Sequence, residues 1–266
     1  MIIRIHSDLH TEFVPASKAE TLDDFIPSLP GEEDMVLVLA GDIIAGMPAW
    51  AGTPLDIYTP WLKDLAQRHK TVIMIAGNHE GYGSSFKVAF KYLNGLADQL
   101  INFHFLENDN VVVDGVKFLG TTKWTPLDSP HDAFAVEQMN DLHVISQWNV
   151  YKWRQAYNMA RYYLETELAK EHDGPVVVIT HHLPSNQSVG EQFRGSSINC
   201  GYVSNEDDLM IKHKPTLWIH GHTHDSHDYE VIDYDQEVVS RVICNPMGYH
   251  GDSINPNYNP SLTVEV

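Results

Sequence analysis

Val72-Ile73-Met74-Ile75-Ala76-Gly77-Asn78-His79-Glu80 is the stretch that decides how this chain folds. An unbroken apolar run ends abruptly in a glycine, an amide, an imidazole and a carboxylate. Continuous apolar runs of this length suit strands buried on both faces, as in parallel sheets covered by helices. The pattern recurs along the chain. Residues 2–5 lead into Ser7-Asp8-Leu9-His10, and 35–40 into Gly41-Asp42. Residues 176–179 lead into Thr180-His181-His182, and 217–219 into His220-Gly221-His222-Thr223-His224. Stretches 53–70, 84–100 and 150–171 read as amphipathic helices between the runs; Trp153, Tyr157, Ala160 and Leu164 form a core-packing stripe on the last. In open α/β sheets, ligands bind beyond the carboxyl ends of the strands. Strand ends gathered in this way place all these polar groups in one cleft.

The donors point to metals. Asp8 and His10 are two residues apart, so along an extended backbone they project to one side; His222 and His224 share that spacing. Gly41 leaves room for Asp42 to approach an ion closely. Oxygen and nitrogen donors without a thiolate favour Mn, Fe, Zn or Co over a structural zinc site. There are too many donors for one tetrahedral ion, and two ions bridged by a carboxylate account for them better. Each motif alone is common, and Asn78-His79 would equally cap a helix. The ordered set, each member at a strand end, is what is specific.

Composition narrows the classes. The 266 residues suffice for one domain spanning 1–266, and the hydrophobic share of 43% is ordinary for a globular protein. A formal net charge of −19 counts against broad nucleic-acid binding but not against a small phosphorylated substrate, because bound metals invert the local sign. Cys200 and Cys244 are too few for a disulfide framework, and no leader or membrane-spanning run is apparent, which points to the cytoplasm and to no membrane partner. Oligomeric state is not read from the sequence.

The ordered set Asp8-Leu9-His10, Gly41-Asp42, Gly77-Asn78-His79-Glu80, His181 and Gly221-His222-Thr223-His224 resembles the calcineurin-like metallophosphoesterase superfamily. The resemblance runs from residue 1 to about 250. It is closer still to a bacterial branch of undefined substrate, through Gly120-Thr121-Thr122-Lys123-Trp124, Met139-Asn140-Asp141, the turn from Thr180 to Ser185, and Cys244-Asn245-Pro246-Met247-Gly248-Tyr249. It implies an α/β fold, a four-layer αββα sandwich. It implies two divalent metal ions (Mn, Fe, Zn, Co or Ni, with Mn or Fe favoured), one on Asp8, His10, Asp42 and His224, the other on Asp42, Asn78, His181 and His222. His181 rather than His182 is taken as the ligand. The implied activity is hydrolysis of a phosphate ester by a hydroxide bridging the metals. The substrate expected is a phosphodiester of a small nucleotide-like molecule, with phosphomonoesterase, protein phosphatase and non-catalytic metal-binding scaffold as alternatives. His79 is the candidate proton donor to the leaving oxygen, oriented by Asp8. Tyr82, Trp124, Asn140 and Arg194 are candidates for substrate contact, and the loop 184–201 for a wall of the cleft.

Overall fold

The protein is described here from a computed structural model covering residues 1–14, 22, 24–45 and 55–266. Along the chain run β1 (Ile2–His6), β2 (Val36–Ala40), α1 (Thr59–Arg68), β3 (Thr71–Ile75), α2 (Phe86–Ala97), β4 (Phe103–Phe105), β5 (Asp109–Val113) and β6 (Val116–Thr121). Then follow α3 (Pro130–Val136), α4 (Asp141–Val144), α5 (Val150–Leu168), β7 (Val176–Thr180), α6 (Asp207–His213), β8 (Leu217–His220), β9 (His227–Ile232), β10 (Val238–Cys244), β11 (Gly248–Tyr249), β12 (Ser253–Ile254) and β13 (Thr263–Glu265). The helix expected over 53–70 starts only at Thr59, with Pro60 in its first turn, where a missing N–H costs nothing. Residues 53 and 54 of that expectation lie outside the described residues.

Two sheets form. One has the order β13-β1-β2-β3-β4, with β1 to β4 parallel; the other has the order β5-β6-β7-β8-β10-β9, with antiparallel pairs at both edges. Strand alternation explains how they stack. Ile3, Ile5, Val36, Val38 and Ile73 face Phe118, Val177, Ile179 and Ile219 in a core between the sheets. Leu37, Leu39, Val72 and Met74 face the other way, onto Leu62 and Leu65 of α1 and Leu93 of α2. Leu164 of α5 and Leu209 of α6 cover Val178, Trp218 and Val242 on the far side. Each apolar side chain fully buried in these layers contributes about 1.5–3 kcal/mol. The layers are therefore helix, sheet, sheet, helix, the four-layer sandwich expected. The motif-bearing strands are shared between the sheets: β1, β2 and β3 belong to one, β7 and β8 to the other. The site consequently spans the line where two sheets meet.

Candidate metal centre

Asp8, His10, Asp42, His222 and His224 all sit at positive φ, between 45° and 70°. This corrects the expectation that Asp8 and His10, or His222 and His224, reach one side along extended backbone. β1 ends at His6 and β8 at His220, and the candidate ligand residues follow in left-handed turns. For non-glycine residues that conformation costs of order 1–2 kcal/mol each. Hydrogen bonds hold the turns together: Asp8 N donates to the Gly41 carbonyl and His10 N to the Asp42 carbonyl, both at 3.0 Å. The His222 amide donates to Asp8 Oδ1 at 2.9 Å, and the His79 amide to Asp42 Oδ1 at 2.8 Å. Gly41 has φ +84°, and a Cβ there would lie 2.5 Å from His181 Nδ1 and 2.7 Å from the Gly77 nitrogen. Only glycine fits between these two loops.

The side chains converge in three groups whose ligand atoms lie within 4.8 Å of one another: Asp8, His10 and His224; Asp42, His181 and His222; and, between them, His10, Asp42 and His79. His10 Nε2 faces His224 Nε2 at 3.0 Å, and His224 Nε2 lies 3.5 Å from Asp8 Oδ1. His181 Nε2 lies 3.2 Å from Asp42 Oδ2 and 3.1 Å from Asn78 Oδ1. Asp42 also reaches toward the first group, with Oδ2 3.8 Å from His10 Nε2. The outer ring nitrogens are committed elsewhere: His10 Nδ1 donates to Glu12 Oε1 and His181 Nδ1 to the Ala40 carbonyl, each at 3.0 Å. Their Nε2 lone pairs thus point inward at other acceptors. His222 Nε2 is buried without any hydrogen-bond partner. Burial opposes charge on His181, yet Asp42 and Asp8 raise its pKa to about 10. Inward-facing acceptors and a demand for positive charge are what a cation satisfies, so the donor set fits metal ions.

Two carboxylates to which the sequence reading gave no role organise this centre. Glu12 Oε1 accepts from His10 Nδ1 and also from His79 Nδ1, at 2.8 Å. Burial alone would raise the Glu12 pKa, but the two imidazoles hold it at about 2. Asp8 therefore does not orient His79; Glu12 does. His79, buried beside Asp42 and Glu12, has its pKa raised to about 9 despite the opposing effect of burial. Glu80 accepts from the backbone N–H groups of Gly77, Asp42, Ile43 and Ile44 at 2.6, 3.0, 2.9 and 3.1 Å. It clamps the loop after β3 onto the loop after β2. Glu12 lies two residues beyond His10, but nothing in the sequence distinguished it from a surface acid.

A cavity of about 600 Å³ opens from Asp42, Asn78, His79, His222 and His224. Tyr82 lines it and stacks on His79, ring centroids 3.9 Å apart. Asn140 lines it too, and the loop 184–201 contributes Val189, Gly190, Gln192, Phe193, Ile198 and Asn199. Two expected contacts fall outside. Trp124 is 3% exposed, packed on Trp148, Trp153 and His182 rather than on the cavity; the chain turns it inward, so it buttresses His182, which leans on His222 at 4.3 Å. Arg194 points to solvent beside Glu191, because the exposed turn that carries it aims Phe193 at the cavity instead. His182 is held neutral near pKa 3 by burial and by His181, and packs as an aromatic.

The family model described as calcineurin-like phosphoesterase matches residues 1–226. Uncharacterized protein L509 of Acanthamoeba polyphaga mimivirus is 22% identical, the match covering 100% of this chain and 96% of that protein. Among solved structures, the phosphopantetheinyl hydrolase PptH of Mycobacterium tuberculosis shares the fold with a TM-score of 0.66 at 17% identity, covering 93% of this chain and 89% of that one. TT1561 of Thermus thermophilus does so with a TM-score of 0.53 at 13% identity, covering 92% and 88%.

Proposed function

Since the chain belongs to the calcineurin-like phosphoesterase family, and is therefore a metal-dependent phosphoester hydrolase, we propose that its substrate is a phosphodiester of small, nucleotide-like size. The observation that carries this reading is the meeting of two inward-facing donor groups, joined by Asp42, at the mouth of one cavity. Asp8, His10, Asp42 and His224 would hold one divalent ion, and Asp42, Asn78, His181 and His222 the other. Such ions supply charge stabilisation at phosphorus and acidify water to a nucleophile near neutral pH; Mn or Fe suits the donors best.

The rest of the work falls to the chain. Glu12 fixes the rings of His10 and His79 with one oxygen. His79, its Nδ1 tied to Glu12, keeps the other ring nitrogen for the leaving oxygen, to which it gives a proton. The Asn78 amide nitrogen donates to the Tyr82 hydroxyl at 3.3 Å, which leaves its oxygen facing His181 and the centre. Tyr82, Tyr202 and Tyr249 line the cavity with aromatic surface suited to stacking on a base or other planar group. A volume of about 600 Å³ is far more than a phosphate needs, which supports an esterified substrate with a sizeable substituent. Cys200 and Cys244 are free thiols, and we infer a cytoplasmic setting from them.

The test is hydrolysis of bis-p-nitrophenyl phosphate against p-nitrophenyl phosphate, with metal-stripped protein re-supplied with Mn²⁺. The diester should be the better substrate. His79→Ala should bind the same metal yet lose roughly 10²–10⁴-fold in turnover. Preference for the monoester would overturn the diester reading, and unimpaired turnover by His79→Ala would overturn its role.

A further inference from the structure

Asp141 lies at the start of α4 and is 2% exposed, yet it lines the cavity. Its carboxylate interacts with its own backbone N–H and with the Asn78 side-chain amide. Its Oδ1 has no hydrogen-bond partner. Burying a carboxylate oxygen without a donor is unfavourable, and such a group in a binding wall signals a missing donor. The rest of the wall sharpens the point. Among the described residues lining the cavity, none is Lys or Arg; the carboxylates are Asp42, Asp141 and Asp225. Nearby cations are engaged elsewhere: Lys123 is sealed against Glu206 at 2.6 Å, and Arg194 stands in solvent beside Glu191. Met139, Leu183, Val189, Phe193 and Ile198 make much of the remaining surface apolar.

We propose that this cavity selects phosphodiesters whose larger substituent is uncharged and donates a hydrogen bond to Asp141, and that it rejects substituents bearing a further phosphate. The metal centre is the one place where negative charge is welcome, and it accommodates one phosphate. Beyond His79, which serves the leaving oxygen, a second phosphate would meet Asp141 and Asp225 in a partly desolvated wall with no Lys or Arg to pair with, so discrimination on the order of tenfold or more follows from Coulomb repulsion at such separations. A hydroxyl or amide N–H, as on a nucleoside, would instead complete the Asp141 shell. Asp141 also helps hold Asn78, and that positioning role would affect all substrates alike.

The inference rests on the phosphodiester reading, and one substrate series separates the two. Bis-p-nitrophenyl phosphate reports the reaction alone. The p-nitrophenyl ester of thymidine 5′-phosphate adds an uncharged nucleoside with donors, and its 3′-phosphorylated analogue adds one more phosphate. The Mn²⁺-loaded enzyme should prefer the nucleoside ester over its 3′-phosphorylated analogue by at least about tenfold in kcat/KM. Asp141→Asn removes the carboxylate charge at nearly constant shape, and it should shrink that ratio severalfold. A purely structural role would lower all three activities and leave the ratio unchanged. Equal kcat/KM for the two thymidine esters, or an unchanged ratio in Asp141→Asn, would overturn the inference while leaving the phosphodiesterase reading standing. No turnover of bis-p-nitrophenyl phosphate together with turnover of p-nitrophenyl phosphate would overturn both.

Discussion

Glu12 ties His10 and His79 to one oxygen atom, and in the proposed reaction it would couple metal binding to proton delivery. Partners that hydrogen-bond the far nitrogen of a ligating histidine fix its tautomer and raise its basicity, and their removal typically costs about 10–100-fold in affinity or activity. Glu12→Gln keeps the size and one acceptor oxygen but removes the negative charge that both ring N–H donors face. The expected outcome is a loss of this order in both Mn²⁺ affinity, by titration of metal-stripped protein, and kcat on the diester. Loss of neither would show that backbone packing alone positions the two rings. Sequence spacing did not reveal this residue because His10 and Glu12 straddle a left-handed turn, whose geometry depends on contacts with the loop after β2.

At the scale of elements, the informative places are strand ends. β6 ends in Thr121 and passes through Lys123, again at positive φ, into the aromatic cluster behind the site. Lys123 Nζ lies 3.8 Å above the Tyr157 ring of α5 and pairs with Glu206, just before α6, which also pairs with Arg161 at 2.8 Å. The pair thus ties β6, α5 and α6 together behind the metal centre. Removing one partner of such a buried pair is strongly destabilising, so Lys123→Met should lose roughly 3 kcal/mol in denaturant unfolding at neutral pH. Burial lowers the Lys123 pKa to about 8, despite Glu206. Between about pH 8 and the ordinary lysine range, the unfolded chain holds more protons than the folded one, so this group makes stability rise with pH there. The stability difference between wild type and Lys123→Met should therefore widen from pH 8 to pH 10. A constant difference would show that the ammonium is solvated as in the unfolded chain, and a narrowing one that pairing with Glu206 outweighs burial.

At the scale of the whole molecule, the sandwich spends conformational energy to bring loops from two sheets together. Asp8, Asp42 and His222 hold strained backbone, and the inward-facing donors repel one another without a cation. A ligand that binds only the folded state stabilises it by mass action, about 2.7 kcal/mol at a hundredfold excess over Kd. For a chain of this size, chelation of bound metal should thus lower Tm by roughly 5–10 °C, measured by scanning calorimetry with and without excess chelator. An unchanged Tm after verified metal removal would mean that the loops are held in place without metal. Among the described residues, no helix is long and apolar enough to cross a membrane.

The order of apolar runs and the polar groups that follow them was enough to predict strands, their parallel pairing and the gathering of candidate metal donors, because buried parallel strands demand continuous apolar sequence and metal sites demand donors at fixed places. Asp8, His10, Asp42, Asn78, His79, His181, His222 and His224 could all be named from those runs. Glu80 and Asp141 stood in quoted motifs without a role and Glu12 stood in none, since an acidic residue reads the same in a surface turn as in a buried network. Trp124 and Arg194 read as site residues by neighbourhood in sequence, but folding turned one into the aromatic cluster and the other into solvent. A side chain's direction after a strand end is set by turns whose φ values depend on the facing loop, and that facing loop comes from a distant part of the chain.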